Sequence, residues 1–164
     1  MSMQPGQDGA GVDVAALSRL HLFEGLPHEV LVAIADCAHP AHVTVGDVLF
    51  REGEHADRFY VLMNGGVSLS VHLPGRGHEH IDTVRGGDVV GWSWLFPPYQ
   101  WHFDGRVLID TDLLVVNGAC VRGKCDADPR LGYVLMQRFA EVIHRRLQGT
   151  RLRLLDLHRG PDAR

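Results

Sequence analysis

The sequence predicts a mainly-β domain with flanking helices, and three observations carry that prediction. Short apolar runs, several of period two, recur between residues 43 and 116. Gly, Pro and Asn turn signals separate them at about 8–12-residue spacing, as in a sandwich or barrel. Helical patterns stand only at the two ends of the chain. Finally, 164 residues with 45% hydrophobic and 22% charged side chains suit one globular domain with its own core, which excludes a disordered or fibrous chain.

Residues 1–12 are polar and Gly-rich, and read as a lead-in. Asp13 is a suitable cap for a short helix carrying Val14, Leu17 and Leu20, which ends in a bend at Gly25. Pro27 suits the first turn of a second helix with Val30, Leu31 and Ile34 on one side, breaking near Pro40. Val43 and Val45 then alternate with Thr44, and Val48-Leu49-Phe50 follows a turn at Gly46-Asp47. Phe59 to Met63 is apolar without alternation, the pattern of a strand buried on both faces. After Asn64-Gly65-Gly66, residues Val67, Leu69, Val71 and Leu73 alternate with Ser68, Ser70 and His72. Pro74 to Gly77 turns the chain, and a strand resumes near Ile81. Val107 to Ile109 and Leu113 to Val116 are two more strands, with Asp110-Thr111-Asp112 read as a turn between them. The final helix spans about Pro129 to Leu157, with Asp128 as cap and Pro129 at its first position. Met136, Phe139, Ile143, Leu147, Leu154 and Leu157 form one stripe, with Thr150 filling a place in it. Such a helix outruns a small barrel, so part of the stripe needs a second surface, most simply another copy of the chain. The organisation is therefore 13–128 for the β domain, 129–158 for the helix and 159–164 for a tail.

Formal net charge is −4, without the basic excess of a nucleic-acid binder. Residues 1–129 carry 8 Lys/Arg against 17 Asp/Glu, whereas residues 130–164 carry 8 Arg against 3 acids. Three cysteines are too few for a disulfide scaffold, and no apolar run approaches a membrane span, so the expected compartment is the cytoplasm. Cys120 and Cys125 are read there as reduced, partly buried thiols, and Cys37 lies on the apolar side of the second helix.

Gly46-Asp47-Val48-Leu49-Phe50, Gly53-Glu54, Ala56-Asp57, Phe59-Tyr60-Val61 and Gly65-Gly66-Val67 resemble the first half of a cyclic nucleotide-binding domain. Gly87-Asp88-Val89-Val90-Gly91 resembles the strand that enters that family's phosphate-binding cassette. Arg145-Arg146-Leu147-Gln148, Thr150 and Leu154-Leu155-Asp156 resemble the C-helix of the Crp/Fnr regulators. The resemblance implies a cyclic nucleotide-binding-type β-roll of the double-stranded β-helix or jelly-roll kind. It also implies N-terminal helices, a short helix over a ligand pocket and a long C-terminal dimerisation helix. In that family a Glu follows the cassette Gly and binds the ribose, and an Arg about nine residues later binds the cyclic phosphate. Here Trp92 and Trp101 stand at those two places, so the implied ligand mode is atypical for cyclic AMP.

Trp92, Trp94 and Trp101 lie close together, with Phe96, Pro97, Pro98, Tyr99 and Phe103 among them. One reading is a stacking pocket for a cyclic nucleotide or other planar small ligand, built from Gly91, Trp92, Ser93, Trp94, Leu95 and Trp101. His102 and Arg106 would supply positive charge, and Thr150 on the final helix would reach the ligand as its counterpart does in the regulators. Two alternatives stand beside it: the tryptophans fill the old pocket, or some of them face a protein partner. Thr150 equally fits a helix seam. His78-Glu79-His80 has the look of a cupin metal pair, but Val84 and Arg85 fall where an acidic ligand is needed, so a metalloenzyme is the weakest reading. No nucleophile motif is present, so no enzyme activity is expected. His158 to Arg164 are too few for a helix-turn-helix. The expectation is thus a non-catalytic small-ligand sensor or regulatory module, homodimeric through its last helix, with a protein-interaction module whose pocket is filled by aromatics as the alternative. It contacts neither DNA nor membrane directly, and reports through a protein partner.

Overall fold

A computed structural model describes residues 11–159, so the lead-in and tail readings fall largely outside the described residues. The chain runs α1 (Val14–Ser18), a one-turn 3₁₀ helix (His21–Phe23), α2 (His28–Ala35), β1 (Ala38–Val43), β2 (Val48–Phe50), β3 (Arg58–Leu62) and β4 (Gly66–Leu73). It continues through β5 (Gly77–Arg85), β6 (Val89–Val90), a second 3₁₀ turn (Ser93–Leu95), β7 (Asp104–Ile109), β8 (Thr111–Asn117), α3 (Gly118–Ala127) and α4 (Pro129–His158). Two four-stranded sheets form the roll, in the orders β1-β8-β3-β6 and β2-β7-β4-β5, and every pairing is antiparallel.

The first sheet is the middle layer, which explains the unbroken apolar run of β3. Phe59 and Val61 pack with the helices, while Tyr60 and Leu62 point into the roll. Strand β8 divides in the same way, with Leu114 and Val116 toward the helices and Leu113 and Val115 inside. Asp13 caps α1 by accepting from the Ala15 N–H at 2.9 Å, and Asp128 caps α4 by accepting from Arg130 at 3.1 Å. At about 1.5 Å per residue, the 30 residues of α4 span about 45 Å.

Several local expectations change. The helix read up to Pro40 stops at Ala35, and β1 begins at Ala38 with Pro40 inside it. An outer strand of its sheet, β1 tolerates a residue without an N–H. Val45 is not a strand residue but lies exposed in a turn, where Asp47 accepts from the Thr44 N–H at 2.9 Å. Only Asp110 separates β7 from β8, and the two strands belong to different sheets, so this is a crossover and not a hairpin.

Helix α3 was not expected, because Gly118 and Gly123 dilute any helical pattern. It forms because Asn117 caps it, accepting from Cys120 N–H at 2.8 Å, and because its start fits against the Trp94 ring. A Cβ on Gly118 would lie 2.8 Å from Trp94 Cβ, so only glycine permits that approach. The reading of Cys120 as a reduced thiol is also corrected. Cys37, just after α2, and Cys120 on α3 are joined by a disulfide across 83 residues of sequence, with Cα atoms 5.7 Å apart. Two helices distant in sequence meet on the same sheet and bring the sulfurs together. Cys125 remains a free thiol, its pKa pushed up by burial and further by Asp126 and Asp128.

The α4 stripe resolves into two. Leu131, Leu135, Phe139 and Val142 are buried against the domain. Met136, Leu147, Leu154 and Leu157 are exposed, so Phe139 belongs to the inward face.

Candidate functional site

The candidate site is the segment between β6 and β7. Gly91, at φ +96°, releases the chain from β6 into the Ser93–Leu95 turn, and the backbone returns past Tyr99 to Trp101. The return is pinned by backbone bonds from Ala56 N–H to Tyr99 O at 2.6 Å and from Trp101 N–H to Glu54 O at 2.9 Å. Helix α3 holds the other side: Arg122 donates to the Trp94 carbonyl, and its guanidinium sits 4.2 Å from the Tyr99 ring centroid.

The three tryptophans occupy three different environments. Trp94 is fully buried on the helical side, stacked on Phe59 at 4.9 Å and edge-on to Phe139 at 5.3 Å. Its Nε1 has no hydrogen-bond partner, which costs about 1–3 kcal/mol against the gain from burying the ring. Trp101 points to the opposite side, into the roll, where it stacks on Phe50 at 3.8 Å with 14° between the rings. Tyr60 lies beyond, its hydroxyl donating to Leu49 O at 3.2 Å and its pKa pushed up to about 12 by burial. Trp92 stays half-buried at the rim, with the Arg146 guanidinium 5.0 Å from its ring centroid.

Two glycines make room for the Trp101–Phe50 stack. A Cβ on Gly91 would lie 2.5 Å from Trp101 Cζ3, and one on Gly105 would lie 2.5 Å from Phe50 Cε1. With both rings in place, the cavity lined by Phe50, Leu69, Gly91, Trp92, Trp101 and Arg146 has a volume of about 20 Å³. That holds about one water molecule, where small-molecule pockets usually offer about 300–1,000 Å³.

Gly91, Trp92, Ser93 and Trp101 therefore line one small cavity, while the other residues expected at the site lie elsewhere. Trp94 is across the sheet, and Leu95 packs with the helical core. His102 is exposed. Arg106 lies on β7 with its guanidinium donating to Gly46 O at 3.2 Å, outside the cavity. Thr150 is an exposed α4 residue whose hydroxyl donates to Arg146 O at 3.0 Å.

Sequence reasoning missed Arg146 as a site residue, naming it only within the Arg145-Arg146-Leu147-Gln148 run. Its side chain is 14% exposed, donates to the Val89 carbonyl and faces the Asp88 carboxylate at 3.7 Å. Burial lowers its pKa, and Asp88 and Asp82 oppose that shift. Nothing in a run of arginines singles this one out; its seat depends on which face of α4 meets β6. The small neighbours Gly91 and Gly105 were the sequence signal for a crowded interior, since each sits where an apolar ring needs its missing Cβ.

Among the described residues, no group of three or more His, Cys, Asp or Glu is placed to hold a metal ion. His78 and His80 point to separate partners, Asp104 at 3.2 Å and the Thr83 hydroxyl at 2.9 Å. No helix among the described residues is long and apolar enough to cross a membrane.

Comparison with known proteins agrees with this fold. Residues 40–128 match the family profile of the cyclic nucleotide-binding domain. The CRP-like cAMP-activated global transcriptional regulator of Mycobacterium tuberculosis is 25% identical over 142 residues, covering 86% of this chain. The chain spans only 61% of that relative's length. A structure described as a cyclic nucleotide-binding protein from Geobacter metallireducens superposes with a TM-score of 0.75 at 28% identity, covering 83% of this chain and 98% of that one. A cyclic nucleotide-binding domain from Methylobacillus flagellatus also reaches a TM-score of 0.75, at 17% identity, and covers 92% of this chain and 84% of its own.

Proposed function

This chain belongs to the cyclic nucleotide-binding domain family, and we propose that within it the chain is a non-catalytic regulatory module whose ligand pocket is filled by its own aromatic side chains. The observation that supports this reading is the Trp101–Phe50 stack seated on Gly91 and Gly105, which leaves about 20 Å³. In this reading Trp92 and Trp101 replace the polar groups that the family uses for ribose and phosphate, and stabilise the roll without a nucleotide. Thermal melts in cyclic AMP and cyclic GMP test it, and the expected result is no change in Tm. A ligand at about 100 times its Kd would stabilise the fold by about 2.7 kcal/mol, so a shift of that size with either nucleotide overturns the reading.

A second reading, a sensor opened by a planar ligand that displaces Trp101, is favoured by one observation. Arg146 places a guanidinium at the rim beside Trp92, where an anionic ligand would need it. The same melts decide between the two.

Output in either case runs through α4. The helix exposes Met136, Leu147, Leu154 and Leu157, whose separations of 11, 7 and 3 keep them on one helical stripe, and a second copy of the chain is the proposed cover. Arg145 and Arg153 on this helix are engaged within their own domain, with Asp88 at 3.8 Å and Asp82 at 3.5 Å, which argues against α4 as a DNA contact. Signalling is proposed to pass to a protein partner in the cytoplasm. Light scattering should give a dimer for the natural chain and a monomer for Leu147→Glu; a natural chain that stays monomeric at high concentration refutes the dimer.

A further inference from the structure

We propose that the outward face of the β2-β7-β4-β5 sheet holds an anion site that takes the phosphate group of a small phosphorylated metabolite. A groove of about 290 Å³ lies on this face, separated by the sheet from the aromatic interior. Arg106 and Asp104 enter it from β7, Ser68 and Ser70 from β4, His78 and His80 from β5, and Arg51 from the loop after β2. Register places them together: Ser68 is opposite Arg106, and Ser70 is opposite both Asp104 and His80.

His78 on β5 reaches across β4 to Asp104 on β7, Nδ1 to Oδ2 at 3.2 Å. Asp104 also accepts from the Glu52 N–H at 2.8 Å, so its carboxylate is already engaged at one edge of the groove. The two arginines are in the opposite condition. Among the described residues neither the Arg51 nor the Arg106 guanidinium has a carboxylate within 4.0 Å, and the Arg106 side chain donates only to the Gly46 carbonyl.

Two guanidiniums without counter-ions thus face the same groove. Here they stand beside two serine hydroxyls, a donor set whose natural guest is a phosphate dianion bound by forked Arg hydrogen bonds. The volume admits a phosphate and a short organic stem, and is less than a nucleotide-sized ligand usually occupies.

Isothermal titration of the full chain in phosphate-free, low-salt buffer tests the site, with inorganic phosphate and glycerol 3-phosphate as the two probes. Saturable binding of at least one probe is expected, weakened about tenfold by Arg51→Gln and again by Arg106→Gln, as loss of a charge-assisted pair predicts. Tighter binding of glycerol 3-phosphate identifies an organic phosphomonoester as the guest; equal binding identifies free phosphate. Among the described residues the Arg51 side chain makes no ion pair or hydrogen bond, so its variant separates binding from folding, and a melt of each variant checks this. Absence of saturable binding of both probes up to about 10 mM, or binding unchanged in both variants, reduces the groove to an ordinary solvated sheet face and overturns the proposal.

Discussion

The cassette sends two tryptophans to opposite sides of one sheet, and the two cores they enter are built differently. Trp94 joins Phe59, Phe139, Leu17 and Ile34 in a core roofed by helices and closed by the Cys37–Cys120 disulfide. Trp101 joins Phe50, Tyr60 and Leu69 inside the roll, with no covalent closure and with Trp92 and Arg146 at its rim. The first core only holds the fold together. The second occupies the place where the resemblance puts a ligand, so the same residue type serves structure on one side and, by the proposal above, replaces recognition on the other. Helix α4 touches both, through Phe139 in the first and Arg146 in the second.

The contrast is open to direct test. Trp94→Ala should destabilise the fold by about 3–5 kcal/mol in denaturant melts, and should confer no response to cyclic AMP. Trp101→Ala carries a similar packing loss, but its cavity joins the rim beside Arg146; a nucleotide-dependent rise in Tm is expected for this variant alone. Equal behaviour of the two variants breaks the distinction. Next in size, Cys37→Ser should cost about 2–4 kcal/mol, because the crosslink closes a long loop in the unfolded chain. That loss belongs to the helical core, so the Trp101 environment, read by fluorescence in a Trp92→Phe, Trp94→Phe background, should not change.

The inner core has its own signature in alkali. Folding raises the Tyr60 pKa from 10.0 to about 12, so the native state keeps a proton that the unfolded chain releases. The stabilisation is complete below pH about 10 and is lost as pH climbs toward 12, a total of about 2.7 kcal/mol for two pK units. Tyr60→Phe should remove that part of the alkaline loss; an unchanged profile means the ring is wetter than the packing indicates. Smallest is Arg153→Gln at the exposed end of α4. Its pair with Asp82 is about half exposed, so about 0.5 kcal/mol is expected, vanishing in high salt.

Much of the fold was legible because its signals are local. Alternation at Val67, Leu69 and Val71 marked β4, the unbroken Phe59–Leu62 run marked a strand buried on two faces, and Asp128-Pro129 marked the start of α4. Helix α3 was illegible for the converse reason. Its glycines weaken any local pattern, and its support comes from a cap and from the Trp94 ring across the structure. The candidate site was legible as a cluster but not as an arrangement. Trp92, Trp94 and Trp101 look equivalent in sequence, yet a rim, a helical core and a roll interior receive one each.

By itself, then, the sequence determined the family, the two-layered strand pattern, the long last helix and the concentration of aromatics between β6 and β7. The family comes from the resemblance of motifs such as Gly46-Asp47-Val48-Leu49-Phe50 and Gly87-Asp88-Val89-Val90-Gly91, and the rest follows from periodicity, caps and glycine-bearing turns, which act over a few residues. Tertiary structure alone decided that Cys37 meets Cys120, that Phe139 turns inward while Leu147 stays bare, and that Arg146 closes the rim. It also decided that Trp101 lies on Phe50 over two glycines. Each of these depends on two surfaces distant in sequence meeting at van der Waals distance, and local pattern does not encode that distance.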